Sequence, residues 1–342
     1  MNSKYILHFL FIIFMLYGFT TSAQSRKVII DCDPGIDDSI ALILAIESSE
    51  FEILGITTVF GNSSLEQATK NALRIVELSN QDISVYKGAK IPLNISPSAP
   101  PSFVHGDDGL GNTQQPNPKL HSADKSASQF IVDMIKSYPG EVTIIAIGRL
   151  TNLADAIKLD PSICKNVKQI VLMGGALYVP GNVSPVTEAN IGGDPHAADL
   201  VLTAPWKVTM IPLDVTTKVK MNDDLLSLVK KGNSQYGEFI FDISRFYMDF
   251  YKNENKLEGG FYVHDPSAIM YLIKPSLFEM KKGPIRVVCD GIAIGQTIMA
   301  AYDYQFEMKP WFEKPLVDVA IDVDANDFIK TYKSIMINTK DH

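Results

Sequence analysis

The run KVIIDCDPGIDDSIALILAI, residues 27–46, decides the fold. Val28, Ile29 and Ile30 are β-branched and read as a strand, whereas Ile40 to Ile46 read as the apolar body of a helix. Between them Asp31, Asp33, Asp37 and Asp38 put four carboxylates into eight residues, where a buried strand ends and a helix begins. Two carboxylates about 6 Å apart repel by roughly 3 kcal/mol at an effective dielectric of ~20. Without compensation such a turn opens, or some of its carboxylates protonate. A bound hard cation is the simplest compensation, and such ions favour oxygen ligands.

Outward from this turn, strand-like and helix-like runs alternate. Strands are expected at 27–31, 52–59, 83–86, 141–147, 168–173, 207–213, 285–289 and 316–321. Helices are expected at 37–48, 64–79, 124–137, 151–159, 195–203, 222–231, 235–252, 265–273 and 325–336. Runs such as VTIIAIG (142–148) and QIVLMGG (169–175) are continuously apolar, which suits strands covered on both faces. The expectation is α/β: a single domain with a mostly parallel, Rossmann-like open sheet flanked by helices. Its active site belongs at the carboxyl ends of the strands.

The chain has 342 residues and a formal net charge of −8, and no Lys/Arg block, so a nucleic-acid polymer is not its partner. Residues 1–23 read as a secretory signal peptide: Lys4 is the positive start, Tyr5 to Phe19 are apolar, and Thr21-Ser22-Ala23 offer small residues for cleavage. The domain is then 24–342, exported to a periplasm or secreted, with no stable membrane span after cleavage. An uncleaved anchor is the alternative. Cys32, Cys164 and Cys289 have no metal-ligand spacing and read as small core residues, not as a disulfide framework.

The residues just past each strand carry the chemistry. After the first comes the acidic turn; after the second, Thr57-Thr58-Val59-Phe60-Gly61-Asn62. Gly148-Arg149-Leu150-Thr151-Asn152 and Gly174-Gly175 end two more strands, and His264-Asp265-Pro266 opens a helix. Acids, amides and hydroxyls at one sheet edge suit a divalent cation with a polyhydroxylated ligand. Two stretches interrupt the alternation. Residues 88–123 hold six prolines and the run HGDDGLGN (105–112), which favours a functional loop. Residues 235–262 carry Tyr236, Phe246, Tyr247, Phe250 and Tyr251 before Gly259-Gly260, either packing into the core or hinging as a lid. The acidic turn is not an EF-hand, since Ile36 and Leu42 stand where Gly and Glu are needed.

Taken together, DCDPGIDD with GN (61–62), HG (105–106), LTN (150–152), MGG (173–175), GN (181–182), EAN (188–190) and HDP (264–266) resembles the nucleoside hydrolase family, of the inosine–uridine-preferring N-ribohydrolase type. The motifs run in family order across residues 27–336. The resemblance implies hydrolysis of the N-glycosidic bond of ribonucleosides to ribose and free base, with Ca²⁺ as cofactor. By position, Asp33, Asp38 and Asp265 would give the ion carboxylate oxygens and Thr151 its backbone carbonyl. Asp33 would also take a proton from the attacking water. Asp37, Asn62, Asn190 and Asp265 would grip the sugar, Asn182 and Glu188 its 5′-hydroxyl, and Met173 would lie against the ribose. Asp31 would support from behind. His264 is the candidate acid for the leaving base, or else a satisfied helix-start residue. His105 would contact the base. The resemblance also implies a homodimer or homotetramer.

One departure from the family pattern is Ala189, where Glu-Phe-Asn is common. It removes bulk beside the base or the sugar edge, and Trp206 and Trp311 are the chain's only tryptophans. A broad or inosine/uridine-type preference is therefore expected rather than strict purine specificity. The competing readings are an exported, non-catalytic nucleoside- or ribose-binding protein and a phosphatase of the haloacid dehalogenase type. The latter also starts from a strand ending in Asp-x-Asp, but normally continues differently.

Overall fold

Nine strands share one sheet: β1 (Arg26–Cys32), β2 (Phe51–Thr58), β3 (Val85–Lys87), β4 (Thr143–Ala146), β5 (Gln169–Met173), β6 (Val208–Ile211), β9 (Phe278–Val287), β10 (Thr297–Met299) and β11 (Leu316–Val323). Their spatial order is β10-β9-β11-β6-β5-β4-β1-β2-β3. Two further strands, β7 (Lys220–Asn222) and β8 (Gly260–Tyr262), pair antiparallel outside it. The structure is a computed structural model that describes residues 25–254, 256–301, 307–311 and 313–337. The expected signal peptide, 1–23, lies outside the described residues.

From β3 to β11 every neighbouring pair is parallel, and only β9 and β10 close the sheet antiparallel. The expected α/β architecture is what the chain adopts. Successive residues of the inner strands feed opposite faces of the sheet. Val28 and Ile30 join the core beneath the Ile36–Glu47 helix, while Ile29 joins the core built on the Ala127–Ser137 and Thr151–Leu159 helices. All three are fully buried. That two-sided burial is why their sequence shows no polar alternation.

The order 3-2-1-4-5-6 places the switch of winding direction between β1 and β4. Connections leave in opposite directions there, so a crevice opens at the carboxyl ends of these two strands. β1 ends in the acidic turn, and β4 leads into Gly148-Arg149. Sequence reading missed most of β9, because Glu279, Lys281 and Lys282 make its first half polar and exposed or half-buried. The short β7, β8 and β10 were also missed, for want of length. Cys289, expected in a strand, lies beyond β9 and is half-buried; all three cysteines are free.

Removing bulk from either face of β1 should cost stability independently. We expect Ile29→Ala and Ile30→Ala each to lower the unfolding free energy by about 2–5 kcal/mol in urea titrations. Because the side chains share no cluster, the double variant should be near their sum.

Candidate active site

The acidic turn folds around backbone donors. Asp38 Oδ1 accepts from the Asp33 amide at 3.1 Å, and its Oδ2 accepts from the Gly35 amide at 3.1 Å and from Asn62 Nδ2 at 2.8 Å. Asp37 and Asp38 occupy the first turn of the Ile36–Glu47 helix, where the helix dipole favours negative charge. A side chain at Gly35 would displace two site residues: a Cβ there would stand 2.7 Å from His105 Nδ1 and 2.9 Å from Asn62 Nδ2. Asp31 sits behind the turn, accepting from Asn152 Nδ2 at 2.7 Å and from the Thr57 hydroxyl. Asn152 in turn donates to the Thr58 carbonyl and accepts from the Ala89 amide. Asp31 thus ties β1 and β2 to the first turn of the Thr151–Leu159 helix.

Asp33 is fully buried. Its Oδ2 accepts from the Asn62 amide at 2.7 Å and is ion-paired with Arg149 Nη1. Its Oδ1 has no hydrogen-bond partner, and neither does Asp37 Oδ1. Asp265 starts the Pro266–Ile273 helix with Pro266 in its first turn, yet its side chain makes no capping bond. Its carboxylate is left for the cluster: ligand atoms of Asp37, Asp38 and Asp265 all lie within 4.8 Å of one another. Of the carboxylates expected at a metal, Asp38 and Asp265 are in this group, Asp37 completes it, and Asp33 is drawn aside by Arg149. Thr151 donates its hydroxyl to Asp194 Oδ2 at 2.8 Å, fixing the residue whose carbonyl was the fourth expected ligand.

The donor set fits a hard divalent cation. All side-chain donors are carboxylate oxygens, Asp37 Oδ1 among them buried without a partner, and no thiol or imidazole nitrogen joins the group. Burial pushes the Asp37 carboxyl up to about 7, and the neighbouring Asp38 adds to this. Burial likewise raises Asp31 to about 7 and lifts Asp33 and Asp265 well above the usual range, with the Arg149 charge opposing the rise at Asp33. Such carboxylates ionise together only against added positive charge.

A cavity of about 390 Å³ opens over this cluster. Asp37, Asn62, Met173, Asn190, Glu188 and Asp265 line its floor. Asn190 Nδ2 donates to the carbonyls of Ile147 at 2.8 Å and Met173 at 3.2 Å, so its amide bridges the ends of β4 and β5. Glu188 caps the Ala189–Gly193 helix, accepting from the amides of Asn190, Ile191 and Gly175. Asn182 holds the Ala189 amide at 3.0 Å and is exposed at the rim. The sequence-expected residues thus meet in one cavity, apart from Asp33 and Asp38 beneath it and Thr151 behind it.

The opposite wall is aromatic. Phe103, Tyr247, Phe250 and Tyr251 line it beside His105 and His264. Tyr247 donates to Asp37 Oδ2 at 3.1 Å and stacks on His105 with centroids 5.5 Å apart. His105 Nδ1 accepts from the Ile36 amide at 3.2 Å, so it serves the turn as well as the cavity. His264 is held between Thr216 Oγ1, 2.8 Å from Nδ1, and Tyr251 Oη, 2.7 Å from Nε2. Burial lowers its pKa to about 4, so the ring is neutral at neutral pH. The near-neutral titration expected of a free imidazole is therefore not what this site gives.

Sequence reading missed Arg149 and Thr216 as partners. Arg149 had one signal, a lone basic residue directly after the Gly that ends an apolar strand. Thr216 had none, since 48 residues separate it from His264. Tyr247 and Tyr251 were singled out only as aromatics; their spacing of four puts both on one face of the Gly237–Asn253 helix.

The family model described as "Inosine-uridine preferring nucleoside hydrolase" matches residues 28–330. The chain is similar to "Uridine nucleosidase 1" of Arabidopsis thaliana, 41% identical over 313 residues, covering 91% of this chain and 93% of that protein. It is 37% identical to the "Inosine-uridine preferring nucleoside hydrolase" of Leishmania major, over 87% of this chain and 94% of that one. Among solved structures, the plant nucleoside hydrolase PpNRh1 superposes with a TM-score of 0.87 at 35% identity, over 92% of this chain and 99% of that chain. The purine-preferring ribonucleoside hydrolase of Gardnerella vaginalis gives 0.85 at 34% identity, with the same coverage.

The raised carboxyls make a proton-linked prediction. Below about 7 Asp37 holds a proton in the cation-free protein, and a cation drawing on it must displace that proton. Divalent-cation affinity should therefore fall as pH drops through about 7, with protons released on binding. Calorimetric titration in buffers of different ionisation enthalpy checks both; a pH-independent affinity without proton release would contradict the arrangement.

Proposed function

The chain belongs to the inosine-uridine preferring nucleoside hydrolases and is a hydrolase of N-glycosyl bonds, and from this premise we propose a mechanism in which Asp33 is the general base and the acidic cluster holds Ca²⁺. The observation that carries the reading is the convergence of Asp37, Asp38 and Asp265 under a cavity of about 390 Å³ with a polar floor and an aromatic wall, and one free oxygen on Asp33. Asp33, Asp38, Asp265 and the Thr151 carbonyl are the residues that would hold the ion, and Asp37, which stands in the same cluster, would serve both the ion and the sugar. When bound, the ion supplies charge that acidifies a water and anchors vicinal hydroxyls.

In this proposal Asp33 Oδ1 is the atom that takes the proton of the attacking water. Asp37, Asn62 and Asn190 orient the ribose, Met173 packs against it, and Asn182 and Glu188 meet its 5′-hydroxyl. The surrounding anionic oxygens stabilise the positive charge that develops as the glycosidic bond loosens. His264 shares a hydrogen bond with Tyr251, which borders the cavity, so the imidazole would take up a solvent proton and pass one through that hydroxyl to the departing base, returning to its neutral form. His105 and the aromatic wall would receive the base.

A preference covering inosine and uridine is proposed, supported by Ala189 at the rim and by relatives named for uridine and for inosine–uridine. Export directed by residues 1–23, and assembly as a homodimer or homotetramer, belong to the same proposal. Among the described residues no helix is long and apolar enough to cross a membrane.

Ribose and free base should appear from inosine and uridine in phosphate-free buffer; a strict phosphate requirement would make the reaction phosphorolysis and sink the mechanism. Asp33→Asn should lower kcat by about 10²–10⁴-fold. Chelation should abolish turnover, and Ca²⁺ should restore it better than Mg²⁺.

A further inference from the structure

Arg149 is buried, 6% exposed, at the end of β4, with its guanidinium against Asp33 Oδ2 and reaching Asn62 Oδ1 at 3.4 Å. A buried guanidinium is costly and needs a reason. The surroundings are shaped to admit it. A Cβ on Gly61 would fall 2.2 Å from Arg149 Nη1, and one on Gly193 would fall 2.6 Å from Nε. Two backbone segments, one after β2 and one in the Ala189–Gly193 helix, therefore leave the side chain its space. Its Nε has no hydrogen-bond partner, so charge, rather than a completed hydrogen-bond set, compensates the burial.

The charge has a clear destination. Asp31, Asp33, Asp37, Asp38, Glu188 and Asp265 are all buried in this basin. Among the described residues, Arg149 is the cationic side chain ion-paired within it. Arginine stays protonated at any working pH, so its contribution is fixed. It also sorts the two oxygens of Asp33: the Asn62 amide and the guanidinium hold Oδ2, and Oδ1 is left free.

We propose that Arg149 is a positioning residue and a built-in cation, which clamps Asp33 by Oδ2 so that Oδ1 stays unengaged, and takes over part of the charge compensation otherwise left to the divalent ion. This rests on the hydrolytic reading above. Its consequence is an opposed pair of effects. Loss of the guanidinium raises the negative charge of the basin and tightens divalent-cation binding, while the freed Asp33 loses its orientation and turnover falls. A merely structural residue would weaken both.

The test uses the whole chain with Arg149→Met and Arg149→Lys, measuring Ca²⁺ affinity by calorimetry without nucleoside, and kcat and KM separately. Arg149→Met should bind Ca²⁺ on the order of tenfold tighter or more, with kcat at least about tenfold lower and KM little changed. Arg149→Lys restores a charge but not the planar fork, so its Ca²⁺ affinity should stay near that of the unsubstituted chain while kcat remains reduced. Should Arg149→Met fail to fold, the lysine variant decides: unchanged kcat overturns the proposal. Unchanged or weaker Ca²⁺ binding in folded Arg149→Met also overturns it. An unsubstituted chain that binds Ca²⁺ but releases no base defeats the hydrolytic reading instead, and the affinity comparison still judges Arg149.

Discussion

Six buried carboxylates in one basin are the constraint on which the rest of this molecule depends. None of them would stay ionised in a dry interior without help. The fold supplies that help in four physically different forms. Neutral side-chain donors, Asn152 and Thr57, hold Asp31. Backbone amides and the dipole of the Ile36–Glu47 helix hold Asp38. Amides capping a short helix hold Glu188. A guanidinium holds Asp33. The uncompensated remainder is concentrated at Asp37 and Asp265, which with Asp38 make the group suited to a hard cation.

The parallel sheet makes such concentration possible. Its switch between β1 and β4 brings the acidic turn, the loop after β4 and the end of β5 to one crevice, although these segments are far apart in the chain. Asn152 and Asn190 then stitch the strand ends together through their side-chain amides. Positioning here comes mainly from strand ends, with His105 and Ala89 of the long 88–123 segment reaching in to brace the acidic turn and Asn152.

Much of this was legible before the structure. The apolar run 28–30, the acidic turn and the helix signal after it specify a parallel strand, its crevice and its charge, because burial on both faces leaves a distinctive pattern. Asp265 was legible through His-Asp-Pro, and the structure adds that its carboxylate caps nothing. Individual partnerships were not. The pairing of Asp33 with Arg149, or of His264 with Thr216 and Tyr251, depends on which side chains converge from distant segments. Periodicity has no access to that. Nor could it foresee the lowered pKa of His264, which results from burial and not from its neighbours in sequence.

The two walls of the cavity are built from different material. One is the charged, hydrogen-bonded floor on the strand ends; the other is Phe103, Tyr247, Phe250 and Tyr251, carried by a short loop helix and by the Gly237–Asn253 helix. Exposed Phe103 and half-buried Phe250 pack against each other, and Tyr247 is the wall's single hydrogen bond to the floor among the described residues. Exchanging Phe103 or Phe250 therefore reshapes the space above the floor without removing any hydrogen bond to it, whereas exchanging Tyr247 disturbs both walls at once.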